Sequence, residues 1–149
     1  MGKGTVNIRR MARSDIDGAL ALERKIGKGQ SRITYRDMRT TTDPEGPLDL
    51  SFVSETEGQV IGFILARLAY VGIPFTEVCF IHGIVVDPDY QRSGIGNRLI
   101  NSLVEHCYAE GINMLRALVP EHDDELRRFV QQLGFRPSNI INYDKSFNS

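Results

Sequence analysis

The chain is poor in the features that mark proteins for secretion, membranes or nucleic acid. It has two cysteines in 149 residues, too few for the disulfide framework of a secreted scaffold. Both Cys79 and Cys107 stand within apolar patterns, which points to a reducing cytosol and a cytoplasmic protein. The opening stretch Met1-Gly2-Lys3-Gly4-Thr5-Val6 lacks the apolar core of a signal peptide and, with Val at position 6, the myristoylation pattern; no membrane is expected. An excess of one charge is missing too. With 18 basic and 19 acidic residues and an isoelectric point near 6.3, no global basic field exists to hold nucleic acid. Metal ligands are sparse: Cys79 and His82 are three apart on an expected strand and so point to opposite faces, while His106 and His122 have no His or Cys at ligand spacing, and no metal is expected. Neither cysteine has the base or electropositive setting of a nucleophile. There is no internal repeat. The 149 residues suit one domain, 1–149, able to bury about 70% of the surface its unfolded form exposes.

What is present is organised around residues 84 to 97, Ile-Val-Val-Asp-Pro-Asp-Tyr-Gln-Arg-Ser-Gly-Ile-Gly-Asn. The β-branched Ile84, Val85 and Val86 end a buried strand, and Pro88, without an N–H, forces a turn. From Gly94 the apolar residues Ile95, Leu99, Leu103 and Cys107 recur every four positions, widened by Ile100 and Val104, and Gly111 stands where a C-terminal cap belongs. A helix N-terminus thus faces a strand end. Its unpaired N–H groups and macrodipole make Gln91 to Asn97 an anion site, with Gly94 and Gly96 allowing close approach and Arg92 adding charge; a pyrophosphate would fit. The dinucleotide fingerprint is a poor match, since a third glycine is replaced by Leu99 and no acid follows near 115 to 117. Gly27-Lys28-Gly29-Gln30-Ser31 lacks both the strand and the spacing of a P-loop.

Around this centre the alternation of Val6 to Arg10 suits a first strand, Ser14 is expected to cap a helix carrying Ile16, Ala19, Leu20 and Leu22, and Gly27 and Gly29 end it. Arg24 to Arg39 is basic, over a loop and a second helix; it reads as a solvated face or as a recognition surface for an acidic acceptor. Leu50 to Ser54 and Gln59 to Leu68 form a hairpin about Glu55 to Gly58. The turn Tyr70 to Phe75 is almost wholly apolar, which predicts packing on a neighbour, over a pocket or back onto the domain. Thr76 to Val86 is the central strand and Met114 to Val119 a fifth strand; Asp123 caps a helix with Leu126, Phe129, Val130 and Leu133 on one face, ended by Gly134, and Ile140 to Phe147 closes as one or two short strands. This order predicts a single α/β domain whose mixed central sheet has helices on both faces.

Gln91-Arg92-Ser93-Gly94-Ile95-Gly96, preceded by Val86-Asp87-Pro88 and followed by a helix, resembles the acyl-CoA loop of the GNAT superfamily of N-acetyltransferases. Leu133-Gly134-Phe135 resembles the Leu-Gly-Phe that ends the family's last helix. The resemblance implies a mostly antiparallel sheet and acetyl-CoA as co-substrate. It implies pantetheine along Ile84, Val85 and Val86, and the pyrophosphate on Gln91, Arg92, Ser93, Gly94, Ile95, Gly96 and Asn97. A primary amine, on a small metabolite or a peptide N-terminus, would be the acceptor, and a homodimer stays open. The basic Arg24 to Arg39 segment falls where the family commonly lines its acceptor site.

Direct transfer needs a group to take the amine's proton. His82 on the central strand is the first candidate, with a reference pKa of about 6.5, or else a hydrogen-bonded core histidine; Glu77 is the second. Where many members carry a tyrosine acid this chain has Val130, so Tyr143 is the candidate to protonate the departing thiolate, or simply a strand aromatic. Two functions follow: an N-acetyltransferase, or a non-catalytic acetyl-CoA-binding regulatory or sensor module. Turnover separates them.

Overall fold

A computed structural model of the chain describes residues 4–27, 38–39, 42–43 and 49–147, with the backbone alone at 91 and 92. Two compact units share it, Met1–Leu118 and Val119–Ser149. The first holds a five-stranded sheet of β1 (Asn7–Arg10), β2 (Phe52–Thr56), β3 (Gln59–Val71), β4 (Thr76–Val86) and β5 (Leu115–Ala117), in that spatial order. The first three pairings are antiparallel and β4–β5 is parallel, so the sheet is mixed and mostly antiparallel, as expected. The hairpin turn is tighter than the sequence suggests. Glu57 and Gly58 alone form it, with φ of 51° and 75°, a primed two-residue turn whose twist matches the flanking strands.

Helices α1 (Ile16–Ile26) and α2 (Ile95–Ala109) cover opposite faces of the sheet. Val53 joins Phe63 and Leu65 in a core with Ile16, Ala19 and Leu22 of α1. Its neighbour Phe52, necessarily on the other face, meets His106 of α2 edge-on at 6.0 Å between ring centroids. Of the expected α2 stripe, Ile95, Leu99, Ile100, Leu103 and Cys107 are buried and Val104 is exposed; each fully buried Ile or Leu contributes roughly 1.5–3 kcal/mol. Cys107 lies against Cys79 of β4, and both are buried free thiols. Contact with Cys107, with burial behind it, pushes the Cys79 thiol well above its ordinary range, leaving it inert.

The start of α1 corrects the sequence reading. Ser14 sits inside a 3-10 turn, Arg13–Asp15, and makes no cap. Asp15, at the start of α1, makes no side-chain cap bond to the helix either; one of its carboxylate oxygens accepts the Ala12 N–H at 2.8 Å, and the carboxylate takes both Nη atoms of Arg9 at 2.8 Å. Arg9 also donates from Nε to Glu55 at 2.9 Å. The entry to the helix is thus fixed by a charged carboxylate facing an arginine on β1 and not by a capping hydroxyl. Within the expected basic segment only Arg24 to Gly27 and Met38 and Arg39 lie among the described residues, so the second helix and the surface proposed there fall outside them.

In the unit Val119–Ser149, α3 (Asp124–Gln132) begins where predicted, the Asp123 carboxylate accepting the Leu126 N–H at 3.0 Å. Gly134 ends it at φ 95°, and Leu126, Phe129, Val130 and Leu133 form its half-buried face. The closing strands are not found: Ile140 to Phe147 forms no strand. Their apolar residues favour a strand only where a ladder partner exists. Local bonds take the polar groups instead, Ser138 Oγ accepting the Ile140 N–H and Asn142 donating to Asp144.

Burial pushes the Asp15 carboxyl up, but Arg9 and the Ala12 N–H outweigh it and hold it below its ordinary 3.8. The stability this confers is present above pH 3.8 and is lost as pH falls through the lower folded value. Asp15→Ala is expected to lower stability by about 2–3 kcal/mol at pH 7 in urea melts, and to flatten the loss of stability below pH 4.

Candidate active site at the fork between two strands

The parallel pairing of β4 with β5 lasts three residues and ends at Ile81 opposite Ala117. On its other side β4 stays paired with β3 as far as Val86 opposite Gly62. Residues 82 to 86 therefore have a strand on one side only among the described residues, and their outward backbone groups are left without a ladder. Ile84, Val85 and Val86, named from the sequence, are on this open edge.

The fork coincides with a bulge. Leu65 pairs with Gly83 and the next residue, Ala66, with Ile81, which leaves His82 as the extra residue on β4. A bulge re-aims its side chain, and the His82 ring comes to lie over that of Phe80, at 5.8 Å between centroids and 18° between planes. Both line a cleft of about 530 Å³ with Arg67, Leu68, Ala69, Ile81 and Leu118. Burial, and then the charge of Arg67, hold the His82 imidazole below its ordinary 6.5. At neutral pH it is uncharged and has a nitrogen lone pair to offer.

The other two catalytic candidates are not among the residues that line this cleft. Glu77 lies five residues back along β4, roughly 17 Å away at strand rise, outside the cleft lining, and accepts a hydrogen bond from Tyr70. Tyr143 belongs to the unit Val119–Ser149 and is 87% exposed.

Beyond Val86 the chain makes a 3-10 turn, Pro88–Ser93, then Gly94 at φ 73°, then α2. Asp87 pins the turn: its N–H donates to Ile61 O at 2.8 Å, and its carboxylate accepts the Asp89 N–H at 3.0 Å and Lys25 Nζ at 3.0 Å. The start of α2 has neither a capping side chain nor an acid in its first turn among the described residues, the arrangement at a helix N-terminus that suits an anion. A Cβ at Gly94 would meet nothing within 4 Å; glycine is needed for the left-handed backbone, and the space before it is open. Ser93, Gly94 and Asn97 are exposed, whereas the Ile95 side chain is fully buried and anchors the turn. These groups suit a pyrophosphate.

The family model of the acetyltransferase (GNAT) family matches residues 21–135. The chain belongs to the GNAT family. An uncharacterized N-acetyltransferase of Methanocaldococcus jannaschii is 28% identical over 147 residues, 92% of this chain and 63% of that protein. The [ribosomal protein bS18]-alanine N-acetyltransferase of Escherichia coli is 24% identical over 102 residues, 68% of this chain and 65% of that protein. The chain thus spans somewhat under two thirds of the length of these relatives. The GNAT fold is also that of solved aminoglycoside acetyltransferases. The 6'-enzyme of Acinetobacter baumannii matches at TM-score 0.78 and 22% identity, over 97% of this chain and 100% of that one. Another, bound to a bisubstrate analogue of CoA, matches at 0.75 and 20%, with the same coverage.

Arg67 and Leu118 were not singled out by sequence reasoning. Arg67 stood in an apolar strand run, Ile64 to Val71, where a lone cation is itself a signal. The His82 environment is open to measurement: an NMR titration is expected to give it a midpoint below 6.5, and Arg67→Gln should raise that midpoint while burial keeps it from passing 6.5. An unmoved midpoint would place Arg67 too far from the ring.

Proposed function

We propose that residues 1–149 form one GNAT domain acting in the cytoplasm as an acetyl-CoA-dependent N-acetyltransferase, with a primary amine as acceptor. The single observation that carries this is a neutral histidine, set out by a bulge into a cleft, two residues from an unpaired strand edge that leads into an uncapped helix N-terminus. The edge at Ile84, Val85 and Val86 offers N–H and C=O groups to the pantetheine amides, and the turn Gln91 to Asn97 offers helix N–H groups to the pyrophosphate. Acetyl-CoA supplies a thioester carbonyl for the amine to attack directly. An alkylamine is mostly protonated at neutral pH, and an imidazole nitrogen of His82 accepts that proton, directly or through one water. Its placement in the cleft favours His82 over Glu77 as base. Tyr143 is the proposed donor to the departing thiolate in place of the tyrosine that Val130 replaces. The E. coli relative is named for the alanine of a ribosomal protein and the solved neighbours for aminoglycosides, so both peptide and small-molecule amines belong in the assay.

Acetyl-CoA-dependent release of free thiol, measured over amines, polyamines, amino acids and peptides, tests the reading, with Gly94→Trp as the blocked control. Release above that control is expected. Saturable acetyl-CoA binding without release from any acceptor would instead favour a sensor module. His82→Ala is expected to lower kcat/KM by about 10²- to 10⁴-fold at pH 7.5, with the wild-type acid limb falling below pH 6.5; Tyr143→Phe should lower kcat by about tenfold or more. Near-normal turnover by His82→Ala across pH would remove it as the base.

A further inference from the structure

We propose that Arg67 selects acceptors in which a carboxylate accompanies the amine, so that the substrate class is a compact anionic amine with an apolar body. This rests on the acetyl-transfer reading above and adds the acceptor's chemistry to it.

The charge balance of the cleft carries the inference. Its described lining is Arg67, Leu68, Ala69, Phe80, Ile81, His82 and Leu118, and no carboxylate is among them. With His82 neutral, the Arg67 guanidinium is the one charge in that described lining. Its counter-ion does not share the cleft. Asp49, not among the lining residues, stands 3.4 Å from Arg67 Nε, and its side chain is 13% exposed against 47% for Arg67. The two Nη groups carry no hydrogen bond among the described residues. They form the planar fork that matches a carboxylate with two parallel bonds. The surrounding leucines, alanine, isoleucine and phenylalanine would take a short apolar body.

The arrangement suits one small molecule. Arg67 stands opposite Phe80 across the β3–β4 ladder, and the His82 ring, set out by the bulge, is stacked on the Phe80 ring. All three line the one cleft, so a compact acceptor there meets both the guanidinium and the imidazole. The Arg67 charge is felt at His82, where it disfavours the imidazolium. A polycationic acceptor would put a second ammonium beside the guanidinium, with no described carboxylate in the cleft to receive it.

Matched acceptors test this: free amino acids against their amides, peptides with Asp or Glu at the second position against Asn or Gln, and a polyamine. The carboxylate member of a pair is expected to have a kcat/KM about tenfold or more above its neutral partner. The pair in which this holds identifies the source of the carboxylate, a free amino acid or a peptide side chain. Arg67→Gln should bring the ratio to within about threefold of unity, Arg67→Lys should keep part of it, and Arg67→Glu should invert it. Acetyl-CoA affinity measured on each variant verifies that the fold is intact. Turnover of amides or polyamines with carboxylate amines left unused, or a ratio that Arg67→Gln does not change, overturns the selectivity and leaves acetyl transfer standing. No thiol release with any amine overturns the acetyltransferase reading and this inference with it.

Discussion

β5 pairs with β4 for three residues, and after Ile81 the central strand loses its neighbour on that side while keeping β3 on the other. An unpaired edge in a sheet interior is a liability unless something else satisfies its backbone, and the remaining site features are arranged around that gap. The bulge at His82 falls immediately after the last residue paired with β5, Ile81, so that the side chain leaves the regular alternation where the cleft opens. Gly83 to Val86 then run on to the turn that starts α2. Asp87 fixes where that turn goes, tied at once to Ile61 of β3, to Asp89 and to Lys25 at the end of α1. A longer β5 would fill the edge, and a straight β4 would return His82 to the sheet's alternation.

The two shifted histidines show why a depressed pKa alone does not identify a base. His106 is also held below its ordinary value, by burial and by Arg10. It is packed between sheet and helix, its ring edge-on to Phe52 and its Nε2 3.5 Å from Arg10 Nη1, with the guanidinium 5.9 Å from the Phe52 ring. Its Nε2 is engaged within the fold. His82 has a similar electrostatic setting, but its ring lines an open cleft, and accessibility decides the role. The same contrast separates the arginines. Arg9 has its fork filled by Asp15 and Glu55 and fastens β1 to the start of α1, whereas Arg67 is held, among the described residues, through Nε.

Local pattern carried much of this into the sequence. The bounds of β4, the α2 stripe from Ile95 to Cys107, the glycine at 94 and the Asp123 cap each depend on residues within a turn or two of one another, and each is found where the pattern puts it. Features set by distant partners were not legible. The helix entry is anchored at Asp15 and not at Ser14 because Arg9 reaches Asp15 from a different element. The His82 bulge exists only relative to the β3 register. Ile140 to Phe147 has the residues of a strand and forms none, since β-propensity records a pleated, half-buried surface more than a backbone preference. The apolar turn at 70 to 75 does not fold back: Ile73 and Phe75 are exposed, and Tyr70 packs edge-on against Phe75 at 5.7 Å.

The two helix starts show how a site differs from a structural joint built of the same parts. α3 begins with an aspartate that accepts the Leu126 N–H and two acids in its first turn, the arrangement that best satisfies an isolated helix N-terminus. α2 begins with a glycine that caps nothing, and forgoing a side-chain cap costs about 0.5–2 kcal/mol. The longer helix tolerates this because Ile95, Leu99 and Leu103 are fully buried directly behind the uncapped turn, each contributing about as much as the cap would. An acid at Ser93 or Asn97 would stabilise the helix while occupying the N–H groups that an anionic ligand needs. For the proposed binding surface the empty cap is a stability cost, and the buried stripe makes that cost sustainable.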